Sequence, residues 1–368
     1  MQDVSERTGT ALEESQVRAS AGPPELNGFQ RLTIDVSDTG TSMAPLELVS
    51  LGDGLDNVVS STSRSFAAYR ALETERPDAL FQDHLAEYLA GAAVLEKQRA
   101  QLAEGKNPGV RFAVRTKYFD DALMSAVAEI KEATPDAKIQ VVIFGCGMDA
   151  RTWRLPEASS PDAPSPDAPS PDASSSDISA GTNSSAQIAD AAPLVETVFE
   201  GDRPDVIKLK RQLLGELEGM GRLPPLRLAR RRVMLPINLN DATWQDVLVE
   251  EGYRVSEPTV WLFEGLVMYL DPPAVIDLLE SAARLSAPGS VMLVSGISDQ
   301  AVTRGKQSAS LVRRSWTWGC REPEAFFNAH GWHVRKVDDV TKGMFGRELP
   351  TTPGREPNLT WYLTAVKV

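Results

Sequence analysis

Short apolar runs alternate with helix-like segments in the part of the chain that follows residue 111. The first run, residues 138–144, leads directly into Gly145, Cys146 and Gly147. The second run, residues 194–199, ends at Glu200 and Asp202. Alternating strands and helices predict an α/β fold, with a mostly parallel sheet and helices on both faces.

Two further apolar runs also end in polar or small residues. Residues 231–241 pass through Asn238 and Leu239, and residues 258–270 carry Glu264 and Gly265 before a helix that opens at Asp271. The strands of an open parallel sheet bind ligands at their carboxyl ends. The four run ends therefore predict one ligand site along this edge of the sheet.

The paired glycines at the end of the first run favour a nucleotide-type cofactor. A strand that ends in Gly145 and Gly147 lets the backbone approach a ligand and turns free N–H groups towards it. The third glycine of a G-x-G-x-x-G fingerprint is replaced by Ala150, so an NAD site and a simple strand-to-helix turn both stay open. Asp202 suits a ribose, because its two acceptor oxygens match the two hydroxyls of the sugar.

The chain divides into segments of different composition. Residues 1–40 have little apolar periodicity and predict a disordered tail. Residues 41–110 predict a helical cap, in which apolar residues between Phe81 and Leu95 recur near helical spacing. Residues 111–368 form the main domain, interrupted at 157–192 by a low-complexity segment that repeats SPDA three times and predicts a solvated loop.

Composition excludes several functional classes. The 368 residues are 42% apolar and carry a net charge of −13, which argues against general binding to nucleic acid. No apolar run approaches the roughly 18 residues of a membrane span, and the first residues lack a signal-peptide core, so we expect a cytoplasmic protein. Cys146 and Cys320 lack the Cys/His spacing of a zinc site, and no metal is implied. The basic cluster at 227–232 is interpreted as a solvated loop.

Several motifs give the chain a family resemblance. They occur in order as STSRSFAAYRALETERPDALFQDHLAEYLAG, RFAVRTKYFDDAL, VVIFGCGMDARTWRLP, VFEGDRPDVIKLKRQLL, LPINLND, WLFEGLVMYL and EPEAFFNAHGWHV. Together they resemble the leucine carboxyl methyltransferase-like family, especially its S-adenosylmethionine-dependent methyltransferases of unassigned substrate. The resemblance implies a Rossmann-like class I methyltransferase fold, S-adenosyl-L-methionine as the cofactor, and methyl transfer as the reaction.

The resemblance also implies which residues bind the cofactor. The expected set is Arg115, Gly145, Cys146, Gly147, Asp202, Asn238, Leu239 and Glu264. The glycine loop would pass beneath the methionine part, Asp202 would bind the ribose, and Asn238 and Leu239 would flank the adenine. Glu264 would hold the ammonium group, and Arg115 would meet a carboxylate of either the cofactor or the substrate. The family usually has Asp in place of Asn238, and Asn keeps one acceptor oxygen while adding a donor.

Methyl transfer from a sulfonium is chiefly a matter of holding donor and acceptor in line, and the sequence assigns no catalytic residue. We expect a small-molecule acceptor methylated on oxygen, with a carboxylate as one candidate group. The alternatives are methylation of a protein's carboxy-terminal leucine and a catalytically silent cofactor-binding protein. Glu264 as a helix cap and Arg115 as an internal ion-pair residue also stay open. Tyr118 and Tyr269 either orient the acceptor or pack in the core, and the sequence leaves the oligomeric state open.

Overall fold

A computed structural model describes residues 55–106, 109–156, 193–340, 343–349 and 360–368. The expected tail at 1–40 and the whole low-complexity segment at 157–192 lie outside the described residues. The fold below therefore concerns the helical segment from residue 55 onward and the sheet domain that follows it.

Helices and strands alternate through the sheet domain. The helices are α1 Leu55–Thr74, α2 Ala86–Ala90, α3 Ala92–Ala103, α4 Gly109–Ala133, α5 Arg151–Arg154, α6 Pro204–Gly219, α7 Trp244–Glu250, α8 Pro272–Arg284, α9 Asp299–Lys306, α10 Leu311–Arg314 and α11 Pro323–Ala329, with a 3-10 turn at Val267–Tyr269. The strands are β1 Gln140–Phe144, β2 Val195–Asp202, β3 Ala229–Pro236, β4 Thr259–Phe263, β5 Val291–Ile297, β6 His333–Asp339, β7 Gly343–Met344, β8 Arg347–Glu348 and β9 Thr360–Val366.

Seven of these strands form one sheet, in the order β3-β2-β1-β4-β5-β9-β6. The first five pair in parallel, whereas β9 runs antiparallel to β5 and β6. The α/β prediction is confirmed. The chain leaves β1 towards β2 on one side and returns to β4 on the other, so a crevice opens between β1 and β4 at their carboxyl ends.

The central strand β1 explains why its apolar run is continuous. All five of its residues are buried. Val142 and Phe144 join the apolar cluster on one face of the sheet, whereas Val141 and Ile143 join the cluster on the other face. A strand covered by helices on both faces loses the alternation of apolar and polar residues, so its end, and with it the glycine turn, is fixed by packing from two sides.

The helical segment before the sheet is less regular than the expected cap. Phe81 and Leu85 are buried but precede α2, and Gly91, with a φ of 75°, separates α2 from α3. The expected helical periodicity across 81–95 was therefore wrong for its first part. Helix α4 packs against α1 and also against β4 and β5; a domain division near residue 110 stays a prediction.

The basic cluster at 227–232 is not a solvated loop along its whole length. Arg230, Arg231 and Arg232 lie in β3. The Arg232 guanidinium lies over the Trp153 ring, and its Nη1 donates to Glu200 Oε2 over 2.9 Å. Arg232 thus pairs with the buried Glu200 of the adjacent strand β2. A run of basic residues in the sequence does not reveal such a partner.

Candidate functional site

A cavity of about 1140 Å³ opens at the carboxyl ends of β1, β2, β3 and β4. All eight residues expected to bind the cofactor line it: Arg115, Gly145, Cys146, Gly147, Asp202, Asn238, Leu239 and Glu264. Phe66 and Arg70 from α1 also line it. Ligand pockets in proteins commonly measure about 300–1,000 Å³, so this cavity has room for a nucleoside cofactor and a second small molecule.

The glycine turn brings bare backbone to the cavity wall. Gly145 and Gly147 adopt φ values of 67° and 46°, in the left-handed region that favours glycine. A Cβ on Gly145 would lie 3.0 Å from Leu266 Cδ1, and one on Gly147 would lie 3.0 Å from Ser63 Cβ. Between them, Cys146 is buried and burial raises the pKa of its thiol well above the usual value. Cys146 is therefore a small packing residue rather than a thiolate nucleophile.

Asp202 ties the end of β2 to the glycine turn. Its Oδ2 accepts a hydrogen bond from the Gly147 N–H and its Oδ1 accepts one from the Arg203 N–H, both over 2.7 Å. Burial raises the pKa of this carboxyl, while the two N–H groups oppose the shift. Each oxygen has a further lone pair. Asp202 can therefore hold the turn and still accept hydrogen bonds from a ligand.

Asn238 lies at the end of the adjacent strand. Its Oδ1 accepts a hydrogen bond from the Asn240 N–H over 3.2 Å, and the neighbouring Leu239 is buried. The pair thus presents one amide side chain and one apolar side chain to the cavity. This combination suits a flat heterocycle with polar edges.

Glu264, at the tip of β4, is held by two arginines. Its Oε1 lies 2.8 Å from Arg115 Nε and its Oε2 lies 2.7 Å from Arg151 Nη2. Burial alone would raise the pKa of Glu264, but the two guanidinium groups outweigh it and hold the pKa below the usual value. The Arg115 guanidinium also lies 5.2 Å from the ring centres of Phe66 and Phe112.

Arg151 connects Glu264 to a buried chain of ion pairs. The Arg151 side chain is 1% exposed and contacts Asp120, Asp149 and Glu264. Arg154 bonds to Asp120 and approaches Asp83, and Arg70 in turn bonds to Asp83 and to the Met148 carbonyl. The formal charges of this ion-pair network balance, because it contains four arginines and four carboxylates: Arg70, Arg115, Arg151, Arg154, Asp83, Asp120, Asp149 and Glu264.

The arginines of this ion-pair network lower the pKa of Asp149. Burial would raise the pKa of Asp149, but Arg151, Arg70 and Arg154 outweigh burial and lower it to about 2. Asp149 follows the glycine turn directly, and both it and Arg151 line the cavity. The ion-pair network therefore connects the glycine turn to Glu264 at the tip of β4 through Asp149 and Arg151.

Sequence reasoning did not single out Arg70, Asp149 or Arg151. The last two stand in the motif VVIFGCGMDARTWRLP, so charged residues right after a glycine turn were the available signal. A helix-capping role for Glu264 is not observed, because both its oxygens accept from arginines and α8 begins only at Pro272.

The two tyrosines differ in position. Tyr118 donates to Asp338 Oδ2 over 2.7 Å and packs on the Tyr362 ring, and it is not part of the cavity lining in the described residues. Tyr269 lines the cavity. Of the two, only Tyr269 remains placed to contact an acceptor.

Comparisons with known proteins identify the family. The family model described as leucine carboxyl methyltransferase matches residues 64–162 and 180–283, more than half of the chain. The chain belongs to this family. Similar proteins carry the name S-adenosyl-L-methionine-dependent methyltransferase, and this chain is an S-adenosylmethionine-dependent methyltransferase.

Two proteins and one solved structure are similar to this chain. A protein of Parafrankia sp. (strain EAN1pec), provisionally named an S-adenosyl-L-methionine-dependent methyltransferase, is 30% identical over 323 residues, covering 83% of this chain and 86% of the relative. A protein of Rhodococcus jostii (strain RHA1) with the same provisional name is 29% identical over 340 residues, covering 86% and 99%. A solved structure from Thermobifida fusca YX, provisionally described as a methyltransferase, shares 15% identity and a TM-score of 0.45 over 87% of this chain and 99% of that chain. Among the described helices, none has the length and apolar character that a membrane crossing requires.

Proposed function

We propose that the cavity at the ends of β1–β4 binds S-adenosylmethionine and that the enzyme methylates an oxygen of a small molecule, with a carboxylate as the favoured acceptor. One observation carries the proposal. Eight residues from five separate stretches of sequence, 115, 145–147, 202, 238–239 and 264, line a single cavity. Each stretch carries the chemistry that one part of the cofactor requires.

The lining matches the cofactor part by part. Asp202 offers acceptor oxygens to two ribose hydroxyls, and Asn238 offers both an acceptor and a donor to the adenine edge. Glu264 and Arg115 carry opposite charges side by side, which suits the ammonium and carboxylate groups of an amino acid. The turn at Gly145 and Gly147 lets the backbone approach the cofactor without a side chain in the way.

A carboxylate acceptor fits the groups that surround the cavity. When bound, S-adenosylmethionine supplies a methyl group activated by a positively charged sulfur. A carboxylate is already a nucleophile, so the protein need not remove a proton, and the described cavity lining contains no histidine. Arg70 and Arg115 both line the cavity, and guanidinium groups orient carboxylates well. The description of the matching family model, leucine carboxyl methyltransferase, also supports a carboxylate.

Calorimetric binding tests the cofactor assignment. The ligands are S-adenosylhomocysteine and its analogue lacking both ribose hydroxyls, titrated into the wild type and Asp202→Asn. Asp202 also holds the Gly147 N–H, so a weaker affinity alone would not prove a ribose contact. We expect the wild type to prefer the natural ligand by about ten- to a hundred-fold, and Asp202→Asn to lose most of that preference.

A matched control and an acceptor screen complete the test. Glu129→Gln changes an exposed carboxylate paired with Arg335 and should leave both affinities unchanged. The assignment would be overturned if the wild type bound neither ligand, or if Asp202→Asn preferred the natural ligand as strongly as the wild type does. Transfer of a labelled methyl group is then compared across carboxylic acids, their amides, phenols and peptides ending in leucine. Transfer to phenols alone would refute the proposal that the acceptor is a carboxylate. Transfer to the peptides alone would refute the proposal that the acceptor is a small molecule.

A further inference from the structure

The turn that follows β4 places bare backbone against the Arg115 guanidinium. Gly265 lines the cavity and has a φ of 69°, in the left-handed region that favours glycine. A Cβ on Gly265 would lie 2.9 Å from Arg115 Nη1, 3.2 Å from Arg115 Cζ and 3.3 Å from Arg115 Nη2. Any side chain at position 265 would therefore press on the charged end of Arg115.

Other groups fix the remaining sides of the Arg115 guanidinium. Its Nε lies 2.8 Å from Glu264 Oε1, and its Cζ lies 5.2 Å from the ring centres of Phe66 and Phe112. Within the part of the chain that the structure describes, Nη1 and Nη2 make no hydrogen bond, and neither is one of the buried polar atoms that lack a partner. Because Arg115 lines the cavity, these two nitrogens can donate to a ligand there.

A buried hydroxyl holds the backbone of Gly265. The Gly265 N–H donates to Ser295 Oγ over 2.7 Å, and Ser295 lies in β5, whose seven residues are all buried. The parallel pairing of β4 with β5 ends at Phe263 and Val294, so the Ser295 side chain supplies an acceptor where backbone pairing stops. Since Gly265 is tied to the sheet in this way, an added side chain would displace Arg115 rather than Gly265.

We propose that Gly265 is a positioning residue: its missing side chain lets Arg115 lie where Nη1 and Nη2 meet the carboxylate of the cofactor's amino acid end. The inference rests on the proposed cofactor site. A side chain at position 265 would push the guanidinium away, and the carboxylate would lose its two donors. Gly265 thus acts on the carboxylate through Arg115, and Ser295 keeps Gly265 in place.

Two ligands that differ only in the carboxylate test this role. They are S-adenosylhomocysteine and its decarboxylated analogue, and calorimetry measures the affinity of the wild type and of Gly265→Ala for each. We expect the wild type to prefer S-adenosylhomocysteine by about ten- to a hundred-fold, as for a charge-assisted contact. Gly265→Ala should lose most of that preference while it binds the decarboxylated analogue about as tightly as the wild type does.

A second glycine separates this effect from backbone strain. Gly221, which follows α6, has a φ of 66°, and a Cβ there would meet no atom within 4 Å. Gly221→Ala therefore places alanine in the same left-handed conformation without a contact to Arg115, and it should keep the preference of the wild type. A preference in Gly265→Ala equal to that of the wild type would overturn the inference while leaving the cofactor site intact.

Replacing Arg115 shows whether Gly265 acts through it. Arg115→Met alone should lose the preference, and adding Gly265→Ala should leave both affinities as they are in Arg115→Met. A further loss in the double variant would mean that the alanine methyl hinders the ligand directly, and would overturn the inference. Equal binding of both ligands by the wild type would also overturn it, whereas binding of neither ligand would overturn the cofactor site itself.

A variant of Ser295 covers the case of misfolding. If circular dichroism shows that Gly265→Ala is unfolded, Ser295→Ala takes its place, because it removes the acceptor of the Gly265 N–H. Ser295→Ala should then lose the preference for the carboxylate, and an unchanged preference would contradict the proposal. Failure of both variants to fold, with Gly221→Ala folded, would assign Gly265 to stability alone and would also overturn the inference.

Discussion

Replacing Arg151 by methionine tests whether the buried ion pairs hold the site together. Arg151 is 1% exposed and contacts three carboxylates, Asp120, Asp149 and Glu264, at 3.2, 2.7 and 2.7 Å. Methionine matches the length of the apolar stem but leaves these carboxylates with one cation fewer. The change converts a balanced set of four arginines and four carboxylates into one with an uncompensated negative charge.

The size of the loss follows from the burial of the group. Removing one partner of a buried ion pair costs about 3–5 kcal/mol, because the remaining charge stays out of water. Part of that loss is recovered if one carboxylate takes up a proton, and Asp120 is the candidate, since burial raises its pKa despite Arg154 and Arg151. We therefore expect a loss near the lower end, about 3 kcal/mol. The free energy of unfolding of natural domains is only about 5–15 kcal/mol, so the effect is large.

Urea unfolding at pH 7, followed by circular dichroism, measures this loss. Arg335→Met is the matched control, because Arg335 pairs with Glu129 on the surface, with the two side chains 49% and 57% exposed, and exposed pairs contribute about 0–1 kcal/mol. A loss below about 1 kcal/mol in Arg151→Met, equal to that of Arg335→Met, would refute the view that the buried chain braces the site.

Two further predictions concern single residues of the site. The pKa of Asp149 is lowered from 3.8 to about 2, so its ionised form contributes about 2 kcal/mol of stability above pH 4, which is lost as the pH falls towards 2. Urea unfolding from pH 7 to pH 3 should therefore show that the difference in free energy of unfolding between the wild type and Asp149→Asn becomes smaller in acid. A difference that stays constant with pH would contradict this reasoning. Asn238→Asp places a carboxylate where we propose that the adenine edge binds, and it should bind S-adenosylmethionine several-fold more tightly, because a carboxylate accepts an amino hydrogen bond more strongly than an amide does. The Asn240 N–H, which donates to Asn238 Oδ1, can donate to either side chain, so calorimetry that finds equal or weaker binding would contradict the adenine assignment.

The sheet could be predicted from the sequence because its signals are local. A continuous apolar run that ends in glycines marks a strand buried on both faces, and β1 is such a strand. The end of each run also fixes the edge of the sheet at which the polar residues meet. The place of β9 between β5 and β6 is set by pairing across a long stretch of chain, and no short pattern encodes it.

The candidate site could be predicted only in part, for a related reason. Residues at the strand ends, such as Asp202 and Glu264, carry a recognisable pattern, and they do line one cavity. The partners of a buried charge carry none, because Arg151 meets Asp120 and Glu264 from positions 31 and 113 residues away in sequence. For Arg232 the local pattern was misleading. Its basic neighbours in sequence suggested a solvated loop, whereas Arg232 pairs with the buried Glu200 on the adjacent strand β2.

The two arginines on Glu264 differ in a way that suits a cofactor with a charged amino acid end. Arg151 is buried and bound to three carboxylates, so it stays in place. Arg115 is 17% exposed, and among the described residues Glu264 is the one carboxylate it pairs with. Under the proposed assignment, Arg115 would pair with the cofactor carboxylate, and Glu264 would hold the cofactor ammonium beside Arg151. Glu264 would then have two cationic partners both with and without the cofactor, which would avoid the cost of an unpaired buried charge and would account for the second arginine.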